Sequence, residues 1–231
     1  MFFGYEYYWL MLPAFLLVML AQWWVSSAYS RWGRAPNASG MTGGDAARRL
    51  LDASGLYDVE LAVARGMLSD HYDPRDRTLK LSSGVAQNPS IASLAIAAHE
   101  VGHAQQHSQG YFPLQLRTAL VPLANVGSYL GWLMIIVGLL MRSSGIAWLG
   151  VIAFAVGAVF ALFTLPVELD ASRRARELLS QAGLLRSREE EQGVRSVLSA
   201  AAFTYVAALA AALLNLLRVV LMVGGMGRRR S

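Results

Sequence analysis

Three of the four histidines in this 231-residue chain lie in the stretch AAHEVGHAQQH, at positions 97–107. In a helix, His99 and His103 project from one face, and Glu100 lies on the flank of that face. Two imidazoles placed in this way can bind Zn²⁺, and the carboxylate can activate a water molecule there. The alternative is an amphipathic helix with solvated histidines. We take the HExxH spacing to predict a zinc site suited to hydrolysis.

A catalytic zinc site usually has a third protein ligand beside its open position. His107 continues the series, but it lies about 12 Å along the helix axis from His99, so one ion cannot reach both. We expect His107 to be a surface residue or a neighbour of the ligands. The remaining candidates are His71 and a carboxylate, and Glu168 stands out because it directly follows an apolar block. The alternative places Glu168 and Asp170 at a helix N-terminus, where they complement the macrodipole.

The rest of the chain is unusually apolar, because 55% of its residues are hydrophobic and only 15% are charged. About 20 apolar residues are needed to cross a bilayer. Four blocks therefore predict transmembrane helices, at residues 8–25, 121–141, 146–165 and 200–223. The first block lacks the basic start and small-residue end of a signal peptide, which indicates an uncleaved anchor. We expect a multi-pass protein of the cell membrane, in contact with the lipid bilayer.

The predicted topology brings the two polar regions to one side of the membrane. Two crossings joined by a tight turn at residues 142–145 return the chain to the side of the histidines, where Glu168 can join them. Six basic residues between positions 165 and 200, with Arg31 and Arg34, predict that this side is the cytoplasm. The basic tail GRRRS would lie outside after four crossings, so either the last block does not cross fully or the tail is an exception.

Composition also excludes several classes of site and partner. The chain has no cysteine, which excludes disulfides and thiolate ligands. The net charge of +5 comes mostly from arginines near the predicted membrane ends, so we expect no nucleic-acid partner.

The expected fold is mainly α-helical and membrane-bound, with about four transmembrane helices and a small α+β catalytic domain. We divide the chain into an anchor, two parts of a catalytic domain separated by a transmembrane hairpin, and a C-terminal membrane helix with a basic tail. These segments are residues 1–25, 26–120, 121–165, 166–199 and 200–231. The third-ligand helix belongs to the fourth segment.

The first catalytic segment carries local signals for two helices and a sheet. A short helix is predicted between Thr42 as cap and Gly55 as its end. The stretches YDVELAVA, GMLSDHY and RTLKLSS predict a short antiparallel sheet. Asn88 and Pro89 are typical of a helix start, so the HExxH helix is predicted over residues 88–108.

Two residues near the predicted ligands are poor helix formers. Gly102 lowers helix stability, which indicates that a neighbour needs the space. Pro166 is expected to ease the chain away from the preceding span, so that Glu168 turns toward the metal.

The motifs HEVGHAQQ and LPVELDAS resemble those of the YugP-like neutral zinc metallopeptidases of bacterial membranes, and the resemblance covers nearly the whole chain from Ser39 onward. It implies a zinc-dependent peptidase anchored in the cytoplasmic membrane. It further implies that His99 and His103 bind one zinc ion, that Glu168 is the third ligand and that Glu100 is the catalytic acid and base.

A more distant resemblance is to membrane gluzincins of the prenyl-protein-peptidase type. These enzymes carry an acidic residue four positions after the ligand glutamate, where this chain has Ser172. Asp170 is the nearby acid that would have to replace it.

The predicted reaction is peptide-bond hydrolysis, most simply by an endopeptidase, in which Glu100 takes a proton from the attacking water and delivers it to the leaving amine. His71 or Tyr72 is a candidate oxyanion donor, and the alternative is that both residues only pack in the hairpin. A peptide or membrane-protein substrate is expected to add as a strand to an exposed edge of the sheet.

Two other functions compete with this prediction. An intramembrane protease would need the HExxH motif inside a span, but the preceding apolar run IASLAIAA is too short to cross, so we expect a site at the membrane surface. The alternative function is a non-enzymatic membrane protein with a structural zinc. Such sites are closed by four ligands, usually with cysteine, so His71 or His107 would have to supply the fourth. The sequence gives no indication of oligomeric state.

Overall fold

A computed structural model describes residues 9–66 and 69–228 of the chain. Its contacts divide the chain into two compact units, which we call the helical unit and the sheet unit. The helical unit comprises the described parts of Met1–Leu20, Gln115–Pro166 and Thr204–Ser231, and the sheet unit those of Ala21–Leu114 and Val167–Phe203. The start of the predicted anchor (1–8), Met67 and Leu68 of the second predicted strand, and the end of the basic tail (229–231) lie outside the described residues.

Within the described ranges the protein is mainly helical, with one small sheet. The elements are α1 (Met11–Trp32), α2 (Gly43–Ala53), β1 (Glu60–Ala64), β2 (His71–Asp73), β3 (Thr78–Ser82), α3 (Ser83–Ala86), α4 (Ile91–Ser108), α5 (Phe112–Leu140), α6 (Ser144–Gln181) and α7 (Arg188–Arg228). The two histidines of the HExxH motif lie in α4, and Glu168 lies in α6.

Four helices, α1, α5, α6 and α7, are long and apolar enough to cross a membrane, as the four apolar blocks predicted. The helices extend well beyond those blocks. Helix α6 passes through Pro166 and ends at Gln181, so the chain does not leave the helix at this proline as expected. An interior proline removes one helical hydrogen bond, but the following residues VELDASRRARELL are mostly good helix formers that continue the helix.

Helices α5 and α6 form a close hairpin within the helical unit. A Cβ atom added to Gly131 would lie 2.7 Å from Phe154 N, and one added to Gly150 would lie 2.7 Å from Ile135 N. Glycine at these positions therefore lets the two backbones approach, as small residues do between membrane helices.

The sheet is mixed, so the prediction of an antiparallel sheet is wrong for one strand. The strand order is β1–β3–β2, with β1 parallel and β2 antiparallel to β3. Strand β3 takes the central position and buries Leu79 and Leu81, whereas β1 is largely exposed. Alternating polar and apolar residues identify strands, but they do not specify which strands pair.

Helix α4 begins three residues later than predicted, at Ile91. Ser90 is its N-cap, and the Ser90 hydroxyl accepts a hydrogen bond from Ser93 N at 3.1 Å. The side chain of Asn88 instead donates to Gly33 O at 3.0 Å. A contact with a distant segment therefore removes Asn88 from the cap position that its sequence neighbourhood favoured.

The shorter helix α2 forms as its sequence predicted. Thr42 is the N-cap and makes a capping box with Asp45. Gly55, which follows the helix, has a φ of 72°, a conformation that glycine adopts without strain.

The core of the sheet unit is rich in small side chains where α4 meets the end of α6. Ala97, Ala98, Ala171 and Ala175 are fully buried there. Small residues allow two helix axes to come close, and this closeness positions the polar groups that both helices carry.

Candidate metal site

His99, His103 and Glu168 converge in the sheet unit. Their ligand atoms all lie within 4.8 Å of one another. Glu168 Oε2 is 3.2 Å from His99 Nε2 and 3.6 Å from His103 Nε2. The side chains are largely buried, with 13%, 11% and 2% of the surface of His99, His103 and Glu168 exposed. Among the described residues, this trio is the group of His, Asp and Glu side chains arranged to hold a metal ion.

Helix geometry and a single glycine explain the convergence. The two histidines are one turn apart on α4, so their rings share a face, with centroids 4.8 Å apart. A Cβ atom on Gly102 would lie 2.7 Å from Ala171 O in α6. Gly102 therefore permits the close approach of α4 to the helix that carries Glu168, as its low helix propensity indicated.

The outer nitrogen of each imidazole also has a partner. His99 Nδ1 lies 3.2 Å from Ser172 Oγ, and His103 Nδ1 lies 3.0 Å from Gln106 Oε1. Hydrogen bonds of this kind hold a ligating imidazole in one orientation, and they also fix its tautomer where the partner can only accept. In both rings Nδ1 is engaged by these partners, and Nε2 points toward Glu168.

Sequence reasoning did not assign a role to Gln106. It is fully buried, and its amide bridges α4 and α6. The available signal was its position three residues after His103, which places the two side chains on neighbouring positions of one helical face.

Glu100 lies outside the trio and contacts the sheet. It is 7% exposed, and its Oε2 accepts a hydrogen bond from Tyr72 N in β2 at 3.0 Å. The carboxylate is thus fixed by a backbone donor of the neighbouring strand, while it remains next in sequence to His99.

His107 and His71 are not part of the trio. His107 Nδ1 lies 2.8 Å from the hydroxyl of Tyr72, and His71 Nδ1 lies 2.8 Å from Ser69 O. Burial raises the pKa of Tyr72 against the smaller lowering effect of Arg77, so the phenol keeps its proton at neutral pH.

Glu168 and Asp170 do not lie at a helix N-terminus, because both are in the interior of α6. This excludes the macrodipole explanation for them. Asp170 accepts a hydrogen bond from Gln106 Nε2 at 2.9 Å and forms ion pairs with Arg173 and Arg174. It reaches His103 only through Gln106, while Ser172 contacts His99 directly.

Two opposing effects act on the pKa of His103. Burial lowers this pKa, whereas the negative charge of the Glu168 carboxylate beside the ring raises it by more, so the net direction is upward. The surroundings of the ring therefore favour positive charge. A divalent cation among the three side chains would experience the same attraction.

The donor set fits zinc. Two imidazole nitrogens and one carboxylate oxygen are typical ligands of catalytic zinc, whose fourth position stays open. A closed structural site would need a fourth ligand, and no further His, Asp or Glu of the described residues belongs to the group.

Comparison with known proteins finds similarity to proteins described as zinc metallopeptidases and membrane proteases. A family model described as "Putative neutral zinc metallopeptidase" matches residues 7–224. The chain is 43% identical over 212 residues to the "Putative membrane protease YugP" of Bacillus subtilis (strain 168), an alignment that covers 92% of this chain and 94% of the relative. No solved structure matches the chain.

Proposed function

The chain belongs to the "Putative neutral zinc metallopeptidase" family, and from this premise we propose that it is a membrane-anchored zinc endopeptidase. His99, His103 and Glu168 would hold one zinc ion, and Glu100 would be the catalytic acid and base. The observation that carries the proposal is that the ligand atoms of the three residues lie within 4.8 Å of one another. The buried Glu100 follows the first of these ligands directly in α4.

When bound by these three residues, a zinc ion would supply an acidified water molecule and a polarised scissile carbonyl. Glu100 then takes the proton of the attacking water and delivers it to the leaving amine. The hydrogen bond from Tyr72 N supports this role, because it holds the carboxylate in one position beside the histidines.

Tyr72 suits the role of oxyanion donor better than His71. Successive side chains of a strand point to opposite faces, and Tyr72 faces α4, where its hydroxyl contacts His107. The phenol keeps its proton at neutral pH, so it can donate to the developing oxyanion. His71 is exposed and contacts Ser69 O instead.

We assign substrate binding to the edge of the sheet at β2. Tyr72 connects this strand directly to Glu100, and an extended peptide can add to a strand edge through main-chain hydrogen bonds. A peptide bound along an edge extends in both directions from the site, which favours internal cleavage. Substrates would be peptides or membrane proteins.

The proposed location is the cell membrane, with the active site facing the cytoplasm. Four helices apolar enough to span support the membrane location, and the arginines of residues 165–200 support the orientation.

The test uses the full-length protein purified in detergent, its metal content and its hydrolysis of a mixed peptide library. Glu100→Gln should retain one zinc per chain and lose activity by roughly 100-fold or more, as expected when a general base is removed. The matched control is Glu177→Gln, an exposed acid of α6 that pairs with Arg173. Full activity in Glu100→Gln would refute the mechanism, and bound zinc without any hydrolysis by the wild type would favour a structural site.

A further inference from the structure

Gln106 is the most deeply buried polar side chain next to the ligands. It is 0% exposed and lies one turn after His103 on α4. A buried amide is costly unless its hydrogen-bonding groups are satisfied, so its partners show what the position requires.

The partners of Gln106 determine the orientation of its amide. Nε2 donates to Val167 O at 2.8 Å and to Asp170 Oδ2 at 2.9 Å. A backbone carbonyl and a carboxylate paired with arginines can only accept, so the amide nitrogen must face α6. The amide oxygen must then face His103 Nδ1, which lies 3.0 Å away.

This orientation also determines the tautomer of His103. An amide oxygen can only accept, so the proton of the neutral ring must lie on Nδ1. The lone pair of Nε2 is then directed to the side that holds Glu168. His99 lacks this constraint, because the hydroxyl of Ser172 can donate as well as accept.

We propose that Gln106 is the positioning residue of the metal site. This inference rests on the function proposed above. It fixes the zinc-binding tautomer of His103 and ties α4 to the backbone of α6 at Val167, the residue before Glu168. One side chain thereby sets the distance between a ligand from each helix. Asp170 acts through Gln106, because it holds the amide nitrogen on the side away from His103.

The experiment measures zinc affinity by competition with a chelator, the visible spectrum of the Co²⁺-loaded protein, and thermal unfolding without metal. Gln106→Met removes both polar ends of the side chain. It should weaken zinc binding roughly 10- to 100-fold, the loss typical when a ligand's hydrogen-bond partner is removed, and change the Co²⁺ spectrum. The matched control is Gln105→Met, which loses a 3.0 Å bond to Ser54 Oγ away from the site and should bind zinc as the wild type does.

A second pair of variants separates the two ends of the amide. Gln106→Glu keeps an acceptor for His103 but places a carboxylate against Val167 O and Asp170, so zinc affinity should fall. Adding Asp170→Asn to that variant supplies an amide donor for the new carboxylate and should restore much of the lost affinity. Asp170→Asn alone should weaken zinc binding less than Gln106→Met does.

The outcomes distinguish this inference from the proposed function. If the wild type binds zinc and Gln106→Met matches it in affinity and Co²⁺ spectrum, the inference is wrong and the proposed function stands. If Gln106→Met does not fold, equal zinc affinity of the wild type, Gln106→Glu and the double variant overturns the inference. If the wild type binds no zinc, or binds it equally after His99→Ala, the proposed metal site itself is wrong.

Discussion

Glu168 and Glu190 are two buried carboxylates of the sheet unit with very different surroundings. As whole residues they are 1% and 3% exposed, and each lies on a long helix that also has residues in the helical unit. Burial of a charged group is costly, so each must have partners that offset the cost. The nature of those partners separates a structural acid from a candidate ligand.

Glu190 is held by backbone amides. It accepts hydrogen bonds from Ala38 N at 2.7 Å, Arg186 N at 2.7 Å and Ser187 N at 3.1 Å. Ser187 Oγ accepts in turn from Glu190 N, which completes a capping box at the start of α7. These donors have fixed positions and always carry their protons, so the carboxylate is satisfied without a metal.

Glu168 faces two imidazoles instead. A neutral imidazole with its proton on Nδ1 offers only a lone pair at Nε2, which repels a carboxylate. The three groups are compatible when a proton or a cation lies between them. Burial by itself therefore does not mark a functional site, whereas a buried acid that faces the ring nitrogens of two histidines does.

The sharpest test of this comparison is Glu168→Ala. We expect zinc affinity to fall by more than the roughly 100-fold upper range for loss of an outer partner, because two histidines alone make an incomplete site. Glu190→Ala and His107→Ala should retain zinc affinity in the same chelator competition. Loss of zinc in His107→Ala, with Glu168→Ala unaffected, would identify a different third ligand.

Glu190→Ala should lower the stability of the protein and leave its zinc affinity unchanged. It leaves three backbone N–H groups without their acceptor, and we expect a loss of about 3 kcal/mol in the free energy of unfolding. Thermal and denaturant unfolding of the metal-free protein measure this effect, and Glu189→Ala at a neighbouring exposed position is the control. Unchanged stability in Glu190→Ala would show that the amide contacts are not what offsets its burial.

Gly102→Ala should lower both the stability of the protein and its affinity for zinc. The added methyl group meets Ala171 O and pushes α4 away from α6, at an expected cost of about 2 kcal/mol typical of overpacking. Zinc affinity should fall with stability, because the same approach aligns the ligands. Gly84→Ala is the control, since its Cβ would be an ordinary 3.6 Å from Tyr29 Oη. A destabilised Gly102→Ala protein with wild-type zinc affinity would separate helix packing from ligand alignment.

Ser172→Ala should have the smallest effect. The hydroxyl is 3.2 Å from His99 Nδ1 and fixes neither its proton nor the backbone of another helix. We expect at most about a 10-fold loss of zinc affinity, the lower end of the range for such partners, with stability unchanged. Ser180→Ala, at an exposed position of α6, is the control. A larger loss than in Gln106→Met would reverse the ranking of the two histidine supports.

Several features could be predicted because they depend on residues close together in the chain. The capping box of Thr42 and Asp45 forms as its spacing predicted. The four long apolar helices follow from block length and composition. The shared face of His99 and His103 follows from helix periodicity alone.

The pairing of strands and the boundaries of the site elements could not be predicted in the same way. Strand β1 pairs with β3, which is the central strand and buries Leu79 and Leu81. The start of α4 depends on a hydrogen bond from the side chain of Asn88 to Gly33 O. Such contacts join residues far apart in sequence, so local propensity does not encode them.

By itself, then, the sequence determined the chemical types of the site: two imidazoles at helical spacing, an adjacent glutamate and an acid after an apolar block. Only the tertiary structure decided their relations. The close packing of α4 on α6 at Gly102 brings Glu168 to the histidines. The side chain of Gln106 lies between His103 and the backbone of Val167. The physical reason is that a ligand's tautomer and position depend on buried hydrogen bonds between helices, which exist only after the helices pack.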